Sequence, residues 1–154
     1  MSEGPVLKAG MTAAQLIDAI VAYYGVDPAA RRSMNEGKTS CRYNGADGCH
    51  CAFYWMVKDP TILNAMDFVG SGNTAKNIIT DHGFQCLKEE VRHLPEANPA
   101  YNTDAQQFTY RLQFWQEIQN LHDFSQNWGV TGLTEAGESF VRRIKRQYGK
   151  ARAA

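Results

Sequence analysis

The sequence predicts a mainly helical, bundle-like single domain carrying one small β-hairpin. Three observations predict it: apolar residues recur at helical spacing along most of the chain, proline and glycine stand where helices start and stop, and one stretch rich in cysteine and glycine departs from that spacing. With 154 residues the chain fits one domain, residues 1–154, and folding should hide roughly 70% of the surface of the extended chain. A content of 44% hydrophobic and 21% charged residues excludes a disordered protein. Sixteen acids offset sixteen bases, which argues against broad electrostatic binding to nucleic acid or anionic lipid. No apolar run is long enough to span a bilayer and residues 1–10 lack a secretory pattern, so no membrane partner and a cytoplasmic location are expected, with reduced cysteines. The ends, 1–10 and 149–154, are expected to be flexible.

The first helix, from Met11 to Gly25, has Thr12 as N-cap, Gln15 completing a capping box, and Met11 stapled onto Leu16. Leu16, Ile17, Ile20, Val21 and Tyr24 form its apolar stripe, and Gly25 is expected to supply a left-handed stop. Asp27-Pro28 then caps and opens a short turn through Arg32. Ser40 to Asn44 reads as a strand, Gly45 to Gly48 as a turn and Cys49 to Trp55 as the returning arm. From Ala52 onward an extended and a helical course fit equally well.

Asp59-Pro60 opens a helix with Ile62, Leu63 and Met66, ending by Gly70, and a shorter helix spans Asn73 to Asp81 before Gly83. Phe84, Leu87, Val91 and Leu94 repeat at helical spacing and predict a helix closed by Pro95, followed by a loop to Thr103. Across Asp104 to Asn127, Thr109, Gln113, Gln116, Asn120 and Asp123 form a narrow polar stripe on an otherwise apolar helix ended by Gly129. Such a helix is central to the core or offers a flank to a partner. A final helix starts at Thr134, with Leu133, Gly137, Phe140, Val141, Ile144 and Tyr148 facing inward and Glu138 paired with Arg142.

Chemistry-bearing residues are few. Cys41, Cys49, Cys51 and Cys86 invite a zinc reading, but their spacing fits no established ligand pattern. With Asn44 paired to Cys49, Cys41 would point away from Cys49 and Cys51. On one helix, Cys86 and His93 would lie about 10 Å apart, too far to share an ion. The cysteines therefore read as small core residues, with metal binding as the alternative. Gly70, Ser71, Gly72 and Asn73, with Lys76 one turn into the helix, make a turn whose backbone amides could hold an anion, although it matches neither phosphate-loop nor dinucleotide motifs. His122 falls on the apolar side of its helix, and since adjacent helical residues diverge by 100°, Asp123 is not expected to orient it. Arg142, Arg143, Lys145, Arg146, Lys150 and Arg152 make the C-terminus basic, which suits a helix C-terminal end and could touch nucleic acid or an acidic surface.

Cys41-Arg42-Tyr43, Gly48-Cys49-His50-Cys51-Ala52, Leu121-His122-Asp123, Trp128 and Gly132-Leu133-Thr134 give the chain a resemblance to small accessory proteins of tailed bacteriophages and prophages. The similarity is scattered over about half of the chain. It implies a phage-encoded protein acting in the bacterial cytoplasm and transfers no catalytic residue. The leading expectation is a non-enzymatic, cofactor-free protein that binds a host protein, with a defence or regulatory component as the partner class. Its interaction surface would use Tyr110, Phe114, Trp115, Arg142, Arg143 and Arg146. Alternatives are a small-ligand or nucleotide site combining the Gly70 to Lys76 turn with Arg111 or His122, and zinc-assisted nucleic-acid binding through the hairpin and basic tail.

Overall fold

The computed structural model describes residues 4–32, 50–63 and 75–149. Helix α1 (Ala13–Gly25) is followed by the single turn α2 (Pro28–Arg31), then α3 (Ala75–His82), α4 (Asp104–Asp123) and α5 (Glu135–Tyr148). A two-stranded antiparallel hairpin, β1 (Trp128–Gly129) and β2 (Gly132–Leu133), joins α4 to α5. Short 3-10 turns at Ala52–Met56, Pro60–Leu63, Phe84–Cys86 and Ser125–Asn127 complete the described elements. The fold is therefore mainly helical with a minor β component, and α4 lies at its centre, packed by α3, α5 and the Ala52–Met56 turn. None of the described helices is long and apolar enough to cross a membrane.

Local chemistry explains the ends of α1. Thr12 Oγ1 accepts the Gln15 amide at 3.1 Å while Gln15 Oε1 accepts the Thr12 amide at 2.9 Å, so two otherwise orphaned donors are satisfied. Leu16, Ile17, Ile20 and Tyr24 are buried along the inward stripe. The expected left-handed stop at Gly25 is not used: the helix stays right-handed through Val26. The chain turns at Asp27 instead, because Pro28 forces its predecessor out of helical backbone, and Asp27 caps Ala30. In the N-terminal segment Pro5 is buried, whereas Val6 and residues 8–10 are exposed. Gly4 adopts φ +81° and an added Cβ there would sit 2.4 Å from the Trp55 indole, while Leu7 packs on the core.

One other expectation is overturned, and two fall partly outside the described residues. The hairpin observed is 128–133; the strand and turn predicted at 40–48 lie outside the described residues, and the returning arm leaves extended backbone at Ala52 for a 3-10 turn. The helix predicted from Phe84 to Leu94 does not form. An isolated antiparallel bridge joins Leu87 to Val57, and the Lys58 and Lys88 amides donate to the carbonyls of Cys86 and Met56, taking away the bonds a helix would need. Leu87, Val91 and Leu94 are still buried, so the spacing identified the inward side but not the backbone. The helix predicted to run from Asp59 towards Gly70 is a 3-10 turn over Pro60–Leu63, beyond which the chain lies outside the described residues.

Helix α4 ends at Asp123, short of the predicted Asn127. Its last carbonyls are capped by side chains from elsewhere: Trp128 Nε1 and Asn127 Nδ2 donate to Leu121 O at 2.8 and 3.3 Å, and Arg32 donates to His122 O and Asp123 O at 2.8 and 3.2 Å. On the far side of the hairpin, Thr134 caps Gly137. A Cβ at Gly137 would lie 2.1 Å from Asn127 O, so the start of α5 can sit against this chain reversal only because residue 137 has no side chain.

Candidate functional site

Two regions concentrate polar chemistry. The first surrounds His122, which is fully buried. Contrary to the sequence expectation, Asp123 does meet it: Nδ1 lies 2.8 Å from Asp123 Oδ1. The 100° divergence applies to Cα–Cβ directions, and a short carboxylate in the last helical residue can fold back across it. The same oxygen accepts Gln119 Nε2 at 2.6 Å, while Gln119 Oε1 accepts the buried Phe53 amide at 3.2 Å. Tyr24 faces His122 edge-on at 5.0 Å, donates to His50 O and accepts Trp55 Nε1 at 3.1 Å. Burial lowers the His122 pKa, an effect that outweighs Asp123, and burial first, then neighbouring Cys51, raises that of Tyr24 well above its ordinary value. Both groups are therefore neutral near pH 7 and enclosed by protein. They tie the Ala52–Met56 turn and α1 to α4.

The other predicted residues that are described make local contacts. Arg111 lies over the Phe84 ring at 3.8 Å and donates to Arg92 O, whereas Lys76 Nζ lies 3.4 Å from Gln113 Oε1. Eleven residues separate Arg111 from His122 on α4, about 16 Å along its axis. Arg111 and His122 are thus separate alternatives as partners of the Gly70 to Lys76 turn, of which Gly70, Ser71, Gly72 and Asn73 lie outside the described residues. Cys41 and Cys49 also lie outside them. Cys51 is a buried thiol, and the Cys86 thiol is pushed up by burial. Cys86 and His93 do not share a helix, and His93 Nε2 lies 2.9 Å from Met11 O. Among the described residues, no group of three or more metal-binding side chains comes together.

Tyr110, Phe114 and Trp115 were expected on an interaction surface, but Tyr110 is 6% exposed and the other two are fully buried. Phe114 and Trp115 are core: Trp115 Nε1 donates to Leu94 O at 3.2 Å, and Phe114 packs edge-on against Tyr148 at 5.2 Å. Of the α5 cations, Arg143 pairs with Glu117 at 2.8 Å and Lys145 with Asp18, while Arg142, expected to pair with Glu138, bonds Ser139 Oγ at 3.0 Å. Arg142 and Arg146 are exposed.

The second region is an open groove of about 430 Å³ between the first half of α4 and the end of α5. Tyr101, Tyr110 and Tyr148 form its aromatic wall, with ring centroids 5.4 and 5.1 Å apart in succession, and Gln106, Gln113 and Gln147 supply its polar rim. The Tyr148 side chain is 1% exposed and its hydroxyl has no hydrogen-bond partner. Burial, then Glu117, raises its pKa, so it remains a protonated donor. No family model matches this chain, and comparison with curated proteins and with solved structures found no match. Sequence reasoning missed the groove because Thr109 and Gln113 read as a solvated stripe and Tyr148 as ordinary core. The available signal was polar spacing on α4 facing an aromatic residue at the end of α5.

Proposed function

We propose that this is a non-enzymatic accessory protein of phage or mobile-element origin that docks on a host protein, a defence or regulatory component, in the bacterial cytoplasm. The docking surface is the α4–α5 groove, and the exposed Arg142 and Arg146 lie on another face of α5. The observation that carries this reading is the groove's unmet chemistry: an aromatic concavity on the surface whose buried Tyr148 hydroxyl has no partner within the protein. Buried hydroxyls normally find a partner, and this one, enclosed beneath the aromatic wall of the groove, has none within the protein. Aromatic and arginine side chains are also the residues that contribute most at protein interfaces. The mobile-element origin rests on the resemblance of the Cys-Arg-Tyr and Leu-His-Asp segments.

The test is site-specific photocrosslinking in bacterial lysate from a benzophenone residue placed at Tyr101, with Val130 at the hairpin tip as the control position. One saturable product from position 101, competed by excess unlabelled protein and absent from position 130, is expected. Equal, non-competed labelling from both positions contradicts the reading.

A further inference from the structure

A half-buried arginine of α4 stands without a counter-ion. Arg111 lies over the Phe84 ring, with Cζ 3.8 Å from the centroid, and its Nη2 donates to Arg92 O. Arg92 donates through its own Nη2 to Leu87 O at 3.1 Å, so the two arginines hold one stretch of chain, 84–92, against α4. Among the described residues neither guanidinium pairs with a carboxylate. Burial alone lowers the Arg111 pKa, and no neighbouring acid raises it. Charges partly withdrawn from water are normally paired, which makes this one an exception.

Two nitrogens of each arginine make no hydrogen bond. The Nε is enclosed and closed to any ligand, whereas the Nη1 is not. A guanidinium attracts an aromatic ring through its face and a carboxylate through its edge, so stacking on Phe84 leaves the second interaction open. Phe108, one turn earlier on α4, is 43% exposed and meets Phe84 edge-on at 5.6 Å. A free cationic edge therefore adjoins an uncovered aromatic ring.

The surrounding charge narrows the occupant. Lys88, Glu89 and Glu90 precede Arg92 in the same stretch, and Asp104 lies two turns before Arg111 on the same side of α4. A polyanion such as nucleic acid gains little from so mixed a surface, because it would meet these acids as well as the arginines. A small carboxylic acid would gain only an ion pair at the surface, which is worth little. An acidic peptide brings both a carboxylate for Arg111 and an adjoining apolar side chain for Phe108.

We propose that this surface binds an acidic peptide segment: an Asp or Glu carboxylate accepts from Nη1 of Arg111, Arg92 adds the neighbouring positive charge, and the next apolar side chain covers Phe108. Neither arginine nor Phe108 lines the α4–α5 groove, so the site goes beyond the docking reading and stands or falls separately from the Tyr101 crosslink. The Nε–H resonances of Arg92 and Arg111 in the full ¹⁵N-labelled chain are followed while a capped Gly-Ser-Phe-Glu-Phe-Ser-Gly peptide is titrated. The same peptide with Gln in place of Glu, and a single-stranded oligothymidylate, serve as controls. A saturable shift of the Arg111 resonance with the Glu peptide, and none with either control, is expected. Arg111→Lys keeps the charge but loses the planar edge, and should weaken binding about tenfold. Phe108→Ala, at an exposed position, should weaken it about fivefold without moving the rest of the spectrum. A silent Arg111 resonance, equal shifts with the Gln peptide, unchanged affinity in both variants, or a shift produced by the oligothymidylate would overturn the proposal.

Discussion

The surroundings of His122 and the groove above Tyr148 contain the same kinds of side chain, tyrosine and glutamine beside a charged group, arranged to opposite ends. Around His122, Gln119 uses both ends of its amide internally and the Tyr24 hydroxyl both donates and accepts. Around Tyr148 the glutamines use only their oxygens and the hydroxyl is unmatched. The comparison teaches that the identity of a polar residue says little about its role, whereas the balance of its hydrogen bonds says a good deal. A polar cluster whose bonds close on themselves fixes architecture, and one left half open presents chemistry to something else.

The largest expected effect comes from treating an α4 aromatic as surface. Trp115→Ala should cost about 3–5 kcal/mol, because it empties a fully buried site and strands Leu94 O. Urea unfolding checks this, and a loss under about 1 kcal/mol would return Trp115 to the surface. In the closed cluster, Tyr24→Phe should cost roughly 1–3 kcal/mol by leaving Trp55 Nε1 and His50 O without their partner.

The same cluster predicts a pH dependence. His122 has a folded pKa below its ordinary value of 6.5, so the unfolded chain takes up the proton first as pH falls. Stability should be complete above that ordinary value and decline below it, by up to about 1.4 kcal/mol per pH unit, until the folded pKa is reached. His50, also lowered by burial, acts in the same direction. Unfolding midpoints measured on both sides of pH 6.5 should show the decline, and His122→Gln should flatten it. A slope unchanged in that variant would place the proton elsewhere. The smallest effect belongs to the exposed pair of Lys145 and Asp18, where Lys145→Ala should change stability by no more than about 0.5 kcal/mol.

The contrast also shows what a sequence can reveal. Capping signals at Thr12, Asp27 and Thr134 were legible because a cap is a local bond between residues three apart, and all three cap in the structure. The backbone of Phe84 to Leu94 was not, because a bridge to Val57, thirty residues away, replaces the local bonds that the spacing suggested. Of the candidate site, the inward direction of Tyr148 could be read. The groove could not: it requires Tyr101 from a loop and Gln113 from α4 to meet the end of α5. The committed oxygens of its glutamines depend on Lys76 and Arg143, which no linear pattern connects to them.

Identical chemistry on the two tyrosines gives the most direct test of the central claim, that one cluster is closed and the other open. Tyr24→Phe and Tyr148→Phe each delete a single buried hydroxyl, and the free energy of unfolding of both variants can be measured side by side in urea. The account predicts opposite signs: a loss for Tyr24→Phe, and no loss or a gain of up to about 1 kcal/mol for Tyr148→Phe, because an unpaired buried hydroxyl is removed. Equal destabilisation of the two would contradict it, since Tyr148 would then be as fully bonded within the fold as Tyr24.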